Sequence, residues 1–238
     1  MGPVGAAEML DAWEASLAVP APLRAAALLA PATGLDDASV AALPVGACDM
    51  LMLDLRERAF GTRMECETHC PACAERLEFA LDTSALRVSE SVPASGPHHA
   101  ELGGVSVKFR LPTMGDLAAC AHASSAEEAA HVLLERVVQA REPALAALDD
   151  AQQAAFAQCL ASLDPQAATP IALVCPACGH AWTESFDPAA FVVREIDDWA
   201  RRALDEVHVL AARYGWSEGE VLALSPARRR YYVERALQ

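Results

Sequence analysis

Aromatic residues are scarce in this chain, and alanine is abundant. Hydrophobic residues make up 53% of the 238 positions, yet aromatic residues account for only 5%. The hydrophobic fraction excludes a disordered chain and supplies a sizeable core. Because alanine favours helices, whereas sheets favour aromatic and β-branched residues, this composition predicts a mainly helical protein.

Basic residues are also few. The formal net charge is −15, and Lys108 is the single lysine. A chain of this sign repels nucleic-acid phosphates, which argues against general nucleic-acid binding. The charge is uneven, because residues 197–238 contain seven arginines and seven acidic residues, and the preceding residues carry the whole negative excess.

Targeting signals and long apolar runs are missing as well. The N-terminal MGPVGAAEML has neither the basic nor the apolar region of a signal peptide, and Ala6 departs from the myristoylation pattern. No apolar run approaches the roughly 18 residues that span a membrane. We therefore expect a cytoplasmic protein without membrane contact. In a reducing compartment the eight cysteines are expected to be metal ligands or buried small side chains, not disulfides.

The pattern of apolar residues predicts helices that surround a small β element. Alternation over 76–92 and 105–111 predicts strands, whereas PASGPHHA at 93–100 is typical of a linker. The expected fold class is α+β, mainly α-helical, with a small zinc-ribbon-like β element built from two CPxC knuckles. The expected regions are an N-terminal helical region (1–62), the first knuckle with strands (63–112), an inserted helical region (113–167), the second knuckle (168–190) and a C-terminal helical region (191–238).

Several helix boundaries are marked by capping residues. Ser, Thr and Asp before a helix accept hydrogen bonds from its free amides, proline suits the first turn, and glycine ends a helix. The predicted boundaries are Thr113 with Asp116, Ser125 with Glu128, Asp187 with Pro188, Gly215, Ser217 with Glu220, and Ser225 with Pro226.

Two matching CPAC segments contain the residues with the clearest chemistry. The first runs CPACAERLEFALD from Cys70 and the second CPACGHAWTESFD from Cys175. A Cys-x-x-Cys turn directs two thiolates to one point, and zinc needs four ligands in a tetrahedron. Cys70, Cys73, Cys175 and Cys178 are therefore predicted to hold one structural Zn2+ per chain, and the strands leaving the two knuckles are expected to pair. Four thiolates leave no position for a catalytic water.

Other interpretations of the cysteines stay open at this point. Chance apolar cysteines, a redox pair or iron in the same cage compete with zinc. Cys66, His69 and His180 lie close by as ligands, supporting groups or spectators. Ala74 follows the first knuckle where Gly179 follows the second, a position that often needs positive φ.

The order of these segments resembles one known family. The segments are VGACDMLMLDLRERAFG (45–61), the first CPAC with ERLEFALD, VKFRLPTMGDLAA (107–119), CPACGHAW, EIDDWARRALDEVHVLAARYGWSEGEVLAL (195–224) and SPARRRYYVE (225–234). Together they resemble the baseplate hub assembly chaperone family, T-even phage type, of contractile phage tails and phage-like injection systems. The resemblance covers most of the chain. It implies a non-enzymatic helper that binds baseplate or hub proteins while they assemble.

Three functions are compared on these grounds. The first is an assembly chaperone or scaffold that contacts partners through its C-terminal helices, since Arg and Tyr are favoured at interfaces. The second is a permanent baseplate component, and the third is a zinc-ribbon nucleic-acid regulator. No catalytic motif such as a phosphate loop, GxSxG or HExxH is present, so we expect neither an enzyme nor a small-molecule substrate. The candidate partner-binding residues are Trp199, Tyr214, Trp216, Arg228, Arg229, Arg230 and Tyr231, although Trp199 could be core and the arginines a solvated face.

Overall fold

The protein is described by a computed structural model that covers residues 5–88, 96–142 and 148–238. Helices dominate it, and short antiparallel strands complete it, which confirms the α+β, mainly helical class. The helices are α1 (Ala6–Ser16), α2 (Arg24–Thr33), α3 (Asp37–Ala41), α4 (Val45–Phe60), α5 (Thr83–Leu86), α6 (Met114–Cys120), α7 (Ala126–Val137), α8 (Asp150–Leu163), α9 (Pro188–Tyr214), α10 (Glu218–Ala223) and α11 (Pro226–Ala236). The strands are β1 (Arg63–His69), β2 (Arg76–Asp82), β3 (His98–Leu102), β4 (Val105–Phe109), β5 (Val138–Glu142), β6 (Thr169–Val174) and β7 (Ala181–Phe186).

The strands around the knuckles form two hairpins. β1 pairs with β2 and β6 pairs with β7, and each knuckle is the turn of its own hairpin. The expected pairing between β2 and β7, the strands that leave the knuckles, is therefore wrong. A knuckle reverses the chain, so the nearest partner for the outgoing strand is the incoming one. Strand β1 was missed in the sequence, although Met64 and Cys66 are buried and alternate with exposed neighbours.

A third sheet begins inside the predicted linker and includes a strand from the predicted inserted region. It has the order β3-β4-β5. His98, expected in the linker, begins β3, while positions 93–95 of that linker lie outside the described residues. The inserted region 113–167 is not wholly helical, because β5 follows α7 directly. Val138 favours an extended backbone, and the free edge of β4 offers β5 a partner.

The predicted helix boundaries are confirmed. Each predicted capping side chain accepts a hydrogen bond from an amide in the first turn, as in Asp187 with the Ala190 amide at 2.8 Å. Gly215, which follows α9, has a φ of 70° and ends the helix. The other confirmed caps are Thr113 for α6, Ser125 for α7, Ser217 for α10 and Ser225 for α11.

Helix α9 connects the hairpins to the helical core. Its buried face packs with α1, α2 and α4 in the largest hydrophobic cluster, which includes Val192 and Ile196. Polar contacts fix the same helix: Asp197 accepts hydrogen bonds from Arg24 and from the Trp13 indole. The Arg24 hydrogen bond lowers the pKa of Asp197. At the start of α9, Phe191 packs with hairpin residues such as Met64, so this helix joins the two parts of the fold.

None of the helices within the described ranges combines the length and the apolar character that a membrane span requires.

Candidate metal centre

Four cysteine sulfurs, two from each knuckle, come together at the ends of the two hairpins. The Sγ atoms of Cys70 and Cys178 are 3.7 Å apart, and those of Cys73 and Cys175 are 3.6 Å apart. All four sulfur atoms lie within 4.8 Å of one another. Zinc–sulfur bonds of about 2.3 Å in a tetrahedron place the sulfurs about 3.8 Å apart. The donor set and its spacing therefore fit one tetrahedral metal ion.

The two knuckles have the same backbone geometry. The Cys70 amide donates to the Glu75 carbonyl at 2.9 Å, and the Cys175 amide donates to the His180 carbonyl at 2.8 Å. After each second cysteine the chain takes a positive φ, which is 60° at Ala74 and 74° at Gly179. The repeat in the sequence is thus a repeat in conformation.

Equivalent residues of the two copies also share hydrophobic clusters. Leu77 and Trp182 pack beside Cys70 and Cys175. Farther down, Leu81 with Phe186, and Leu86 with Phe191, belong to one cluster between the hairpins. The repeated sequence therefore builds two halves of a single unit, and the cysteine cluster closes one end of it.

The cluster is half shielded from solvent. Cys70 and Cys175 are buried, at 2% and 1% exposure, whereas Cys73 and Cys178 are exposed. Among the described residues, the neighbouring candidates do not join the group of metal ligands. The Cys66 thiol faces the Met64 carbonyl within the hairpin core, and His180 stacks on Trp182 with ring centroids 5.9 Å apart.

Without a metal the four thiols compete for ionisation. Burial raises the pKa of Cys70, but the amides of Ala72 and Cys73 donate hydrogen bonds to its sulfur and bring that pKa to about 7. At Cys73 the Glu75 amide lowers the pKa, yet the Cys178 thiol and burial raise it, and the result is about 12. A bound metal cation would remove this difference between the thiols, because every coordinating thiol loses its proton.

Four protein ligands complete a tetrahedron, so this arrangement suits a structural ion. Zinc and iron both accept four thiolates, and the donor set does not distinguish them. A metal here would join segments that lie about a hundred residues apart in the chain.

The candidate partner-binding residues fall into two groups. Trp199 packs against Phe60 in the helical core, with ring centroids 6.4 Å apart. Arg229 is only 4% exposed and binds Glu206 at 2.9 Å, which holds α11 against α9. The remaining candidates are the exposed residues Tyr214, Arg228, Arg230 and Tyr231, together with half-buried Trp216 between α9 and α10.

An aromatic cluster on this surface includes one residue that was not among the predicted candidates. Trp216 stacks on Tyr214 at 4.9 Å between ring centroids, and Tyr232 meets the Trp216 ring edge-on at 5.1 Å. Tyr231 extends the cluster, and the Arg235 guanidinium lies 5.6 Å from its ring centroid. Tyr232 could have been chosen from its position next to Tyr231. We call Tyr214, Trp216, Tyr231 and Tyr232 the aromatic surface.

Comparison with known proteins gives one match. Residues 28–192 match the family described as T4 bacteriophage base plate protein. The chain belongs to this family. The match spans more than half of the chain, from α2 to the start of α9, and it contains both knuckles. No curated protein and no solved structure matches the chain.

Membership of the base plate family gives a structural or assembly role in a phage tail. The family supports a non-enzymatic protein that interacts with other base plate proteins. The cysteine cluster lies within the matched range, whereas the aromatic surface lies beyond it.

Proposed function

We propose that this protein is a non-enzymatic assembly chaperone or scaffold for the baseplate or central hub of a contractile phage-tail-like particle. The observation that carries the proposal is the aromatic surface, which contains all three tyrosines of the chain. In a chain with so few aromatic residues, a cluster of them at the surface indicates a region that a partner covers.

The exposure of the aromatic surface supports partner binding. Tyr231 is 54% exposed and Tyr214 is 39% exposed, whereas Trp216 and Tyr232 are half-buried. Tyrosine, tryptophan and arginine are enriched among residues that dominate binding energy at interfaces. Stacking also fixes these rings before a partner arrives, so little side-chain entropy is lost on binding.

Buried anchors hold the aromatic surface in place. Val221 and Leu222 of α10 are buried, and Leu222 packs with Leu10 of α1. Arg229 fastens α11 to α9 through Glu206. The two C-terminal helices are therefore part of the folded body and present a preformed surface.

We further propose that the four knuckle cysteines bind one structural zinc ion per chain. Binding free energies of structural zinc are about 10–16 kcal/mol, which is comparable to the net stability of a whole domain. The ion would hold the two hairpins together and fix the position of the first turn of α9. Zinc would act in folding, while partner recognition would take place on the helices.

Mass spectrometry of finished particles tests the chaperone role. A chaperone acts during assembly and leaves, so the protein should co-purify with baseplate intermediates and be strongly depleted from complete particles. Stoichiometric presence in complete particles would instead make it a permanent baseplate component.

The structure weakens the case for the third function, a zinc-ribbon regulator that binds nucleic acid. The run of arginines at 228–230 is the main basic cluster, yet Arg229 is buried and paired with Glu206. Only Arg228 and Arg230 of the run remain exposed, on a chain of net charge −15. A gel-shift assay at low salt is expected to show no binding, because electrostatic attraction is strongest there.

A further inference from the structure

A cleft of about 810 Å³ opens between the two hairpins beside α9. None of the four knuckle cysteines lines it. Near the cluster the two hairpins are joined by a hydrogen bond from the Thr68 hydroxyl to the Glu184 carboxylate, at 2.9 Å. The cleft is thus a separate feature of the hairpin unit.

The edges of two strands border this cleft. Strand β1 contributes the consecutive residues 65–68, and the chain at the end of β7 contributes 184–187. Successive side chains of a strand point to opposite faces, so a run of consecutive lining residues indicates that the strand turns its edge toward the cleft. By contrast, β2 and β6 contribute only Phe79, Ile171 and Leu173, all from one face of each strand.

Neither edge has a second strand of the described chain beside it, although the Arg63 carbonyl at the start of β1 accepts a hydrogen bond from Arg56. In the described part of the chain β1 pairs only with β2, and β7 pairs only with β6. A strand with one free edge offers a row of backbone amides and carbonyls to an added strand. β1 runs toward the cysteine cluster and β7 runs away from it, so an inserted segment would be antiparallel to one edge and parallel to the other.

The residues that line the cleft indicate which side chains an added strand would carry. Phe79, Ile171, Leu173, Phe186 and Phe191 provide apolar walls. Six carboxylates and three arginines also line the cleft, which gives a formal charge of −3.

Two of the three arginines already have carboxylate partners. Arg56 binds Glu195 at 3.0 Å, and Arg63 binds Glu65 at 2.7 Å. Glu184 and Asp198 are exposed carboxylates of the lining that form no ion pair among the described residues. Glu67 is already paired with Arg76, which lies outside the lining, so Glu184 and Asp198 are the acidic groups that a basic partner would meet.

We propose that this cleft binds an extended segment of a partner protein by strand addition to β1 or β7. The segment carries lysine or arginine alternating with aliphatic residues. Its backbone pairs with a free strand edge, its apolar side chains face the hydrophobic walls, and its basic side chains meet the acidic rim. Alternation follows from strand geometry, which places successive side chains on opposite faces.

Fluorescence anisotropy with defined peptides tests this proposal on the whole protein loaded with zinc. The probe is an eight-residue peptide of alternating valine and lysine, about the length of β1. A valine–glutamate peptide of the same length should not bind. A valine–lysine peptide with alternate backbone amides methylated keeps its charge and side chains but loses its donors, and it should bind at least about tenfold more weakly.

Two charge reversals on α9 locate the binding site. Asp198 lines the cleft, whereas Asp205 lies seven residues farther along the same helix and does not line it. Asp198→Lys is expected to weaken binding of the valine–lysine peptide about fivefold, while Asp205→Lys should leave it unchanged. Amide shifts in nuclear magnetic resonance spectra should concentrate at 65–68 and 184–187.

Three results would overturn the proposal. These are no binding of the valine–lysine peptide, equal binding of the methylated peptide, and equal weakening by the two charge reversals. The last would mean general attraction to an acidic chain. The peptide assay contains no phage-tail component. A negative peptide result would therefore not contradict the proposed assembly role, and a negative result for the assembly role would not contradict peptide binding in the cleft.

Discussion

Ala74 and Gly179 occupy equivalent positions in the two knuckles, and both have left-handed backbone conformations, with φ of 60° and 74°. The Ala74 amide donates a hydrogen bond to the Cys70 carbonyl, and the Gly179 amide donates one to the Cys175 carbonyl, both at 2.9 Å. Glycine adopts this conformation without strain, whereas an L-residue with a Cβ pays about 1–2 kcal/mol. The first knuckle is therefore strained at Ala74, and the second knuckle is not.

Replacing the strained residue should stabilise the protein. We expect Ala74→Gly to raise the free energy of unfolding by about 0.5–1 kcal/mol, because relief of strain exceeds the extra entropy of glycine in the unfolded chain. Denaturant unfolding of the metal-loaded protein measures this. The reciprocal change, Gly179→Ala, should destabilise the protein by a similar amount. A loss of stability in Ala74→Gly would contradict the strain argument.

Loss of one ligand should abolish metal binding. Cys70→Ser and Cys175→Ser are each expected to reduce zinc from about one ion per chain to near zero, because a structural site needs all four ligands. Elemental analysis of the purified variants provides the measurement. Cys159→Ser on α8 is the matched control and should retain the metal, since Cys159 lies outside the cluster. Retention of zinc in only one of the two ligand variants would exclude a shared site.

Gly46 should tolerate no side chain. Its amide donates to Asp164 at 2.9 Å, and a Cβ would lie 1.9 Å from the other carboxylate oxygen of that residue. It would also lie 2.9 Å from the backbone nitrogen of Ala167, which cannot move aside easily. We expect Gly46→Ala to destabilise the fold by about 2 kcal/mol or more, measured by denaturant unfolding.

A second helical glycine supplies the control for this prediction. A Cβ at Gly219 in α10 would meet nothing within 4 Å, and the backbone there is helical. Gly219→Ala is expected to stabilise the protein by about 0.5–1 kcal/mol, because alanine has the higher helix propensity. Equal effects of the two substitutions would show that the contact with Asp164 is not the cause.

Buried Asp49 should make stability depend on pH. Burial, followed by the nearby carboxylate of Asp187, raises the pKa of Asp49 to about 8, although the amide of Ala189 donates a hydrogen bond that favours its ionised form. The folded-state pKa is above the unfolded value of about 3.9, so folding retains a proton that the unfolded chain releases. This contribution to stability is complete below about pH 4 and is lost as the pH rises to about 8.

Removing the titrating group should remove this dependence. We expect Asp49→Asn to gain stability over the unmodified protein as pH rises from 5 to 8, by up to about 1.4 kcal/mol per pH unit. Denaturant unfolding at several pH values measures the difference between the two proteins, in which the pH dependence of metal binding cancels. A difference that stays constant with pH would show that Asp49 is ionised in the folded protein.

Truncation of the aromatic surface should weaken partner binding without unfolding the protein. Tyr231→Ala removes a ring that is 54% exposed, so stability should change little, while co-purification with baseplate proteins should fall at least about tenfold. Leu35→Ala, at a residue 46% exposed outside the aromatic surface, is the control and should leave co-purification unchanged. Normal co-purification of Tyr231→Ala would place the partner contact elsewhere.

The sequence by itself determined the local features of this protein. The two CPAC turns, the capping residues such as Asp187 and Ser217, and the glycine that ends α9 were all predicted from short segments and are present in the structure. These features depend on bonds between residues a few positions apart, so their chemistry is readable without the fold. The need of a metal for four ligands then predicted that the two knuckles meet.

Only the tertiary structure decided which side chains reach a partner. Arg228, Arg229 and Arg230 look alike in the sequence, yet packing against α9 buries Arg229 on Glu206 and leaves its neighbours exposed. The same holds for β1 and β7, whose free edges border one cleft because the cysteine cluster brings distant hairpins together. Exposure and strand edges depend on what packs opposite, and residues far away in the chain decide that.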